Sequence, residues 1–143
     1  MMDDLYAGTW EGYYSYGEGY EEERRRIKVG FFIKMTLDGG ILTGTCEEYV
    51  TKVLMKQPAT LNGVIDGLSI RFFKVYPFYF EINEQREISV DKSKAGLTVH
   101  YSGSYDPNNK TFSGKWGIEP VPGMDEDADG AYLYSGNWTM VKA

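Results

Sequence analysis

Hydrophobic and polar positions alternate with a period of two along much of the chain, which is the pattern of a β-strand with one face on a core. The clearest stretch spans 27–37, where Ile27, Val29, Phe31, Ile33, Met35 and Leu37 alternate with Lys28, Gly30, Phe32, Lys34 and Thr36. Asp38-Gly39-Gly40 follows directly and supplies the glycines that a tight hairpin turn requires. The pattern therefore predicts a long strand and a hairpin.

Further turn signals divide the rest of the chain into hairpins. They are Asp66-Gly67 and Asp106-Pro107-Asn108-Asn109, each lying between two runs rich in β-branched and aromatic residues. The predicted strands are 6–16, 27–37, 41–50, 59–65, 68–75, 97–105, 111–118 and 131–141. Residues 76–90 predict an irregular or edge segment, because Pro77 disfavours a central strand among otherwise sheet-forming aromatics.

No stretch shows the sustained apolar spacing and capping residue that predict a helix. Successive hairpins with short links indicate an all-β fold with a meander topology. We predict one domain over residues 1–143, an antiparallel up-and-down β-barrel of about eight strands, because closure removes the exposed strand edges. An open β-sandwich is the alternative.

Composition and charge disfavour some classes of binding partner for this chain. With 15 basic and 21 acidic residues the net charge is -6, which disfavours nucleic acid. No apolar run approaches the roughly 20 residues of a membrane helix, so no membrane partner is predicted. Arg24-Arg25-Arg26 follows Glu21-Glu22-Glu23 and predicts a solvated loop or strand edge. Cys46 is the single cysteine and cannot form an intramolecular disulfide, and the start Met1-Met2-Asp3-Asp4 lacks the basic start and apolar core of a secretory signal. These two features predict a cytoplasmic location.

A short Gly-x-Trp pattern occurs three times, as Gly8-Thr9-Trp10, Gly114-Lys115-Trp116 and Gly136-Asn137-Trp138. Strand parity places the glycine and the tryptophan of each pattern on the same face. One interpretation is that small and large residues alternate to fill the interior of a barrel. The other is that the tryptophans form the wall of an apolar ligand cavity.

The predicted interior is strongly aromatic. By parity, the inward faces carry Trp10, Tyr14, Tyr16, Met35, Cys46, Phe72, Tyr101, Trp116, Tyr134 and Trp138. An eight-stranded barrel is just wide enough to be filled by side chains or to hold one small ligand. Glu48 shares a face with Cys46, so its carboxylate either lies solvated at the rim or anchors a polar group of a ligand.

Catalytic and metal signals are weak. His100 faces away from the apolar side of its strand and has no nucleophile beside it in the sequence, and Cys46 is interpreted as a small buried hydrophobe. Asp125, Asp127 and Asp129 match the opening of a calcium loop, but Gly136 stands where the bidentate glutamate is expected. We predict no enzymatic activity, no cofactor and no metal, with these three aspartates as the weak metal candidate.

Two segments carry a family resemblance. Gly8-Thr9-Trp10, followed by the run Asp38-Gly39-Gly40-Ile41-Leu42-Thr43-Gly44-Thr45, resembles the first hairpins of avidin-type barrels, and the G-x-W start is similar to that of lipocalins. Both families belong to the calycin-like group. The resemblance covers about the first third of the chain and implies a calycin-like small β-barrel.

The resemblance does not imply biotin binding. The polar contacts of avidin-type proteins after the first tryptophan would fall at Gly12 and Tyr16, which cannot make them in the same way. Cys46 and Glu48 stand where that family has a tyrosine and a serine. Lipocalins are commonly secreted and disulfide-bearing, and this chain shows neither feature.

The preferred hypothesis is a non-enzymatic barrel that binds a small apolar or aromatic ligand in an aromatic interior pocket. Its predicted binding residues are Trp10, Tyr14, Cys46, Glu48, Tyr101, Trp116 and Trp138. The alternative is a filled barrel that acts as a protein-interaction or homo-oligomerising module through the outer aromatics Tyr13, Phe32, Phe73 and Tyr79.

Overall fold

A computed structural model describes residues 2–17, 22–48, 57–82, 88–91, 93, 96–118 and 134–143. The elements it defines, in chain order, are α1 (Met2–Tyr6), β1 (Gly8–Tyr16), α2 (Glu22–Arg25), β2 (Lys28–Asp38), β3 (Ile41–Glu48), β4 (Ala59–Asp66), β5 (Ser69–Val75), β6 (Tyr79–Ile82), β7 (Ile88–Asp91), β8 (Thr98–Asp106), β9 (Thr111–Ile118) and β10 (Tyr134–Lys142).

Eight of these strands close into an antiparallel barrel in the order β1-β10-β9-β8-β5-β4-β3-β2. The prediction of an all-β, eight-stranded up-and-down barrel is therefore confirmed. Strands β6 and β7 form a separate two-stranded sheet outside this order, in the region around Pro77 that was predicted to be irregular or an edge. None of the helices in the described ranges has the length and apolarity needed to cross a membrane.

Two details of the sequence prediction were wrong. The first strand begins at Gly8, because residues 2–6 form the helix α1, whose Tyr6 is fully buried against the barrel core. The basic run begins within α2 instead of a loop or strand edge, and an exposed ion pair of 3.0 Å joins Arg26 to Glu22 one turn earlier. Both helices are too short to produce the periodic apolar stripe that predicts a helix.

Three tight turns lie at one end of the barrel. Gly39 and Gly40 both have positive φ, as a two-residue type I′ turn requires, and Gly67 has positive φ at the first position of the next hairpin. In the third turn, the Asp106 carboxylate accepts hydrogen bonds from the Asn108 backbone N–H and the Asn109 side chain. The predicted turn chemistry is confirmed at all three positions.

Helix α1 seals the same end, which we call the closed end. The Trp10 indole N–H donates to the Tyr6 carbonyl oxygen at 2.7 Å, and the Tyr6 hydroxyl donates to the Gly67 carbonyl oxygen at 3.1 Å. The Tyr6 ring packs against Tyr105 and Phe112 at centroid distances of 5.1 and 5.0 Å. The four long connections, 17–27, 49–58, 76–97 and 119–133, all join strands at the opposite end, the long-connection end.

Two of the Gly-x-Trp patterns interlock across neighbouring strands. In the β9–β10 register, Trp138 lies opposite Gly114 and Trp116 lies opposite Gly136. A Cβ atom at Gly136 would come within 2.6 Å of the Trp116 indole nitrogen, so only glycine leaves room for that ring. The alternation of small and large residues therefore fills this part of the interior.

Candidate functional site

A group of polar side chains is buried inside the barrel towards the long-connection end. Glu48 is the last residue of β3, Lys74 lies near the end of β5, and Tyr14 and Tyr101 project inward from β1 and β8. Tyr76 follows directly on β5 and is also buried. We call these five residues the polar cluster.

The polar cluster is built around an ion pair. Lys74 Nζ lies 3.1 Å from Glu48 Oε2 and also donates a hydrogen bond of 2.7 Å to the Tyr101 hydroxyl. The Tyr14 hydroxyl donates to Glu48 Oε1 at 2.7 Å. The exposed fractions of Glu48 and Lys74 are 2% and 1%, so both charges are removed from water.

Three aromatic rings surround the ammonium group. Lys74 Nζ lies 5.0, 4.8 and 4.9 Å from the ring centroids of Tyr14, Tyr76 and Tyr101 respectively. A cation within about 6 Å of a ring face is attracted by the ring quadrupole, and the attraction strengthens when water is absent. The rings therefore help to hold a positive charge in a place where burial alone opposes it.

Burial and the ion pair set the protonation states of the cluster. Burial lowers the pKa of the Lys74 ammonium, but the Glu48 carboxylate and the Tyr101 and Tyr76 oxygens outweigh it and hold that pKa well above its ordinary value. Burial raises the pKa of Tyr14, Tyr76 and Tyr101. Lys74 is therefore charged and the three phenols are neutral near neutral pH.

Cys46 lies two residues before Glu48 on the same inward face of β3. Burial raises the pKa of its thiol to about 12, with the negative charge of Glu48 adding to the shift and Lys74 opposing it. The thiolate is the reactive form of cysteine, so this thiol is a poor nucleophile near neutral pH. The geometry offers a fixed cation and tyrosine hydroxyls for hydrogen bonding, with Cys46 as a packing residue.

These pKa shifts predict an alkaline loss of stability. The folded chain keeps the protons of Lys74, Cys46 and the three cluster tyrosines at pH values where the unfolded chain, with ordinary pKa values of about 8.5 to 10.4, releases them. The contribution of these five groups to the free energy of unfolding is complete below their ordinary pKa values and is lost as the pH rises above those values. We therefore expect the free energy of unfolding to fall above about pH 9.

Urea unfolding at increasing pH measures this decline, and tyrosinate absorbance followed in the same samples reports ionisation of the phenols. The buried phenols should ionise together with unfolding. The explanation would be wrong if Tyr14→Phe, Tyr76→Phe and Tyr101→Phe, made singly, all left the alkaline slope of stability unchanged.

The structure separates the seven predicted binding residues into three groups. Trp10 packs on Phe112 at the closed end, with a centroid distance of 5.0 Å, and lies apart from the polar cluster. Tyr14, Glu48 and Tyr101 belong to the cluster itself. The other three lie around it: Cys46 on the face of Glu48, Trp116 with its ring 5.7 Å from Tyr14, and Trp138 with its ring 5.8 Å from Tyr101.

The expectation of a solvated carboxylate at the rim was wrong for Glu48. Parity placed its side chain inward correctly, but the ion pair with Lys74 allows the carboxylate to be buried completely. Sequence reasoning missed Lys74 and Tyr76. Lys74 alternates in phase with Ile70 and Phe72, the inward-facing residues of β5. Its inward position could therefore have been predicted from the sequence.

The outer aromatics do not form one patch. Tyr13 on β1 is 40% exposed and Phe73 on β5 is 46% exposed, but β5 is the fourth strand from β1 in either direction around the barrel. These two rings therefore lie on opposite sides. The side chain of Tyr79 lies outside what the structure describes, and assembly through these aromatics stays a hypothesis.

The remaining candidates lie on the outside or beyond the described ranges. His100 faces outward as predicted, with its ring 4.4 Å from that of Phe73. The aspartates 125, 127 and 129 and the side chain of Tyr134 lie outside the described residues. Within the described ranges, no three His, Cys, Asp or Glu side chains are grouped so that they could hold a metal ion.

Comparison with known proteins identifies no relative: no family model, no curated protein and no solved structure matches this chain. The closed antiparallel barrel agrees with the calycin-like architecture at a coarse level. An assignment to the avidin-type or lipocalin families within that architecture has no support beyond the short motifs of the first third of the chain.

Proposed function

We propose that this barrel is a non-enzymatic binding protein for a small organic ligand, which enters from the long-connection end and meets the polar cluster. The observation that carries the proposal is the buried Lys74–Glu48 ion pair. A buried ion pair is often no more stabilising than well-packed apolar residues of the same volume. A role in recognition explains its presence better than a role in stability does.

The position of the pair supports the same proposal. The closed end is filled by Tyr6, Trp10 and Phe112 and sealed by α1. The polar cluster lies towards the long-connection end, and binding residues are commonly found on the connections at one end of a rigid scaffold. A ligand entering there would reach the cluster before the apolar core.

The chemistry of the cluster indicates the class of ligand. Lys74 Nζ donates two hydrogen bonds, to Glu48 and Tyr101, and an ammonium group can donate three. The rings of Tyr16 and Trp116 pack edge-on with Tyr14, at centroid distances of 5.7 Å each. A flat, largely apolar molecule that carries an anionic or hydrogen-bond-accepting group fits this combination.

Binding of anilinonaphthalene sulfonate, a fluorescent aromatic anion, tests the proposal. We expect saturable binding to the native protein and a loss of affinity of about tenfold or more in Lys74→Met, because the buried cation is removed. Lys34→Met is the matched control, because Lys34 is exposed on the outer face of β2. Only variants that keep the native near-ultraviolet circular dichroism are compared.

Tyr101→Phe keeps the ion pair and removes one hydroxyl, so it provides a milder second variant if Lys74→Met does not fold. We expect Tyr101→Phe to weaken dye binding, whereas the control Lys34→Met should leave dye affinity unchanged. Equal dye affinity in the wild type, in folded Lys74→Met and in Tyr101→Phe would contradict binding at the polar cluster.

A further inference from the structure

A groove of about 740 Å³ lies on the outer face of the barrel, and its lining includes Tyr101, whose side chain points inward to the polar cluster. Its outward-facing lining includes Arg71, Phe73, His100, Ser102, Lys115 and Ser135, contributed by β5, β8, β9 and β10. The volume falls within the range of small-molecule sites, about 300 to 1,000 Å³. The outward-facing side chains of this groove are not members of the polar cluster.

The strand register explains the shape of the groove. Arg71 lies opposite Ser102 and Ser102 lies opposite Lys115, so a small residue separates two long cationic side chains. In the neighbouring row, Phe73 lies opposite His100 and His100 lies opposite Gly117. The small Ser102 and Gly117 therefore leave a depression between longer side chains.

The charge of the groove contrasts with that of the chain. The net charge of the chain is -6, yet among the described residues the outward-facing ionisable side chains that line the groove are Arg71, His100 and Lys115, with no carboxylate. In the ranges that the structure describes, neither Arg71 nor Lys115 forms an ion pair. The groove is thus a local site of positive potential on an acidic protein, which favours an anionic ligand.

One wall of the groove is aromatic. Phe73 is 46% exposed, and its ring packs edge-on against His100 at a centroid distance of 4.4 Å, which supports the ring in its outward position. Val64, which lies opposite Arg71 in the register, extends this apolar side. An exposed aromatic beside cations provides both an apolar surface and a charge partner for the same ligand.

We propose that this groove binds a small aromatic anion, with the anionic group between Arg71 and Lys115 and the ring against Phe73. Backbones two strands apart are separated by about 10 Å, so the side chains of Arg71 and Lys115 are long enough to converge on one phosphate-sized or carboxylate-sized group above Ser102. The bidentate guanidinium suits such oxyanions.

Calorimetric titration with phenyl phosphate tests this proposal, with inorganic phosphate and phenol as the two half-ligands. We expect phenyl phosphate to bind more tightly than either half-ligand. The double variant Arg71→Gln/Lys115→Gln should weaken phenyl phosphate binding by about tenfold or more, which corresponds to about 1.4 kcal/mol. Phe73→Ser should weaken phenyl phosphate and leave inorganic phosphate unchanged.

The matched control is Lys28→Gln/Lys34→Gln, which removes the same two charges from the exposed face of β2, the strand opposite β8 in the barrel. Equal losses in the two double variants would show general electrostatic attraction and overturn the proposal. An unchanged phenyl phosphate affinity in Phe73→Ser would also overturn it. The variants used here change Arg71, Lys115 and Phe73, none of which belongs to the polar cluster, so failure of this site and failure of the interior site are distinguishable.

Discussion

Replacing Lys74 with methionine should lower the free energy of unfolding by about 3–5 kcal/mol. The substitution leaves the Glu48 carboxylate 2% exposed without its cation, and a buried charge that has lost its partner is strongly destabilising. The hydrogen bond from Tyr14 remains but compensates only part of the lost interaction. Urea unfolding at neutral pH, followed by circular dichroism, measures the difference.

The exposed ion pair between Arg26 and Glu22 provides the matched comparison. Its side chains are 76% and 74% exposed, so Glu22→Gln should change stability by only about 0.5 kcal/mol or less. The double variant Glu48→Gln/Lys74→Met removes both buried charges and should recover most of the stability lost in Lys74→Met. A loss in Lys74→Met no larger than that in Glu22→Gln would mean that water reaches the polar cluster.

Replacing Trp138 with alanine should lower the free energy of unfolding by about 3–5 kcal/mol, as expected for a large buried aromatic. The ring is 2% exposed and packs with Phe72 and Tyr101. Its indole N–H donates to the carbonyl oxygens of Ser102 and Lys115, at 3.2 and 3.1 Å, and so links β10 to two other strands. Urea unfolding is again the measurement.

Asn137→Ala is the control for Trp138→Ala, because Asn137 is the preceding residue of β10 and faces outward. It should change stability by no more than about 0.5 kcal/mol. The Trp138→Ala result also separates the two interpretations of the Gly-x-Trp pattern. A loss comparable to that of Asn137→Ala would show that Trp138 borders open space instead of filling the core, contrary to the packing against Gly114 and Gly103.

Much of the fold could be predicted from local pattern. The alternation over 27–37 predicted β2 to within one residue at each end, and Thr111–Ile118 was predicted with the bounds that β9 has. These segments succeed because a strand with one buried face repeats every two residues, which is visible in a few consecutive positions. The helix α1 was missed because five residues are too few to show a helical period.

The candidate site could be predicted only in part. Parity identified Tyr14, Glu48 and Tyr101 as inward-facing, and that is a local property of each strand. The partner of Glu48 is 26 residues away in sequence, and the two side chains meet because β3 and β5 flank β4 on either side and their inward faces converge inside the barrel. No local pattern encodes a distance across a barrel, so Lys74 could be read as inward but not as paired.

The eight barrel strands, the tight turns at Gly39-Gly40 and Gly67, and the inward-facing positions could be predicted from the sequence, because these features depend on neighbours within a few residues. The folded barrel was needed to show that Glu48 is buried with Lys74 instead of solvated at a rim, and that Arg71 and Lys115 border one outer groove. Both outcomes depend on strand order and register around the closed barrel, which bring together residues distant in sequence.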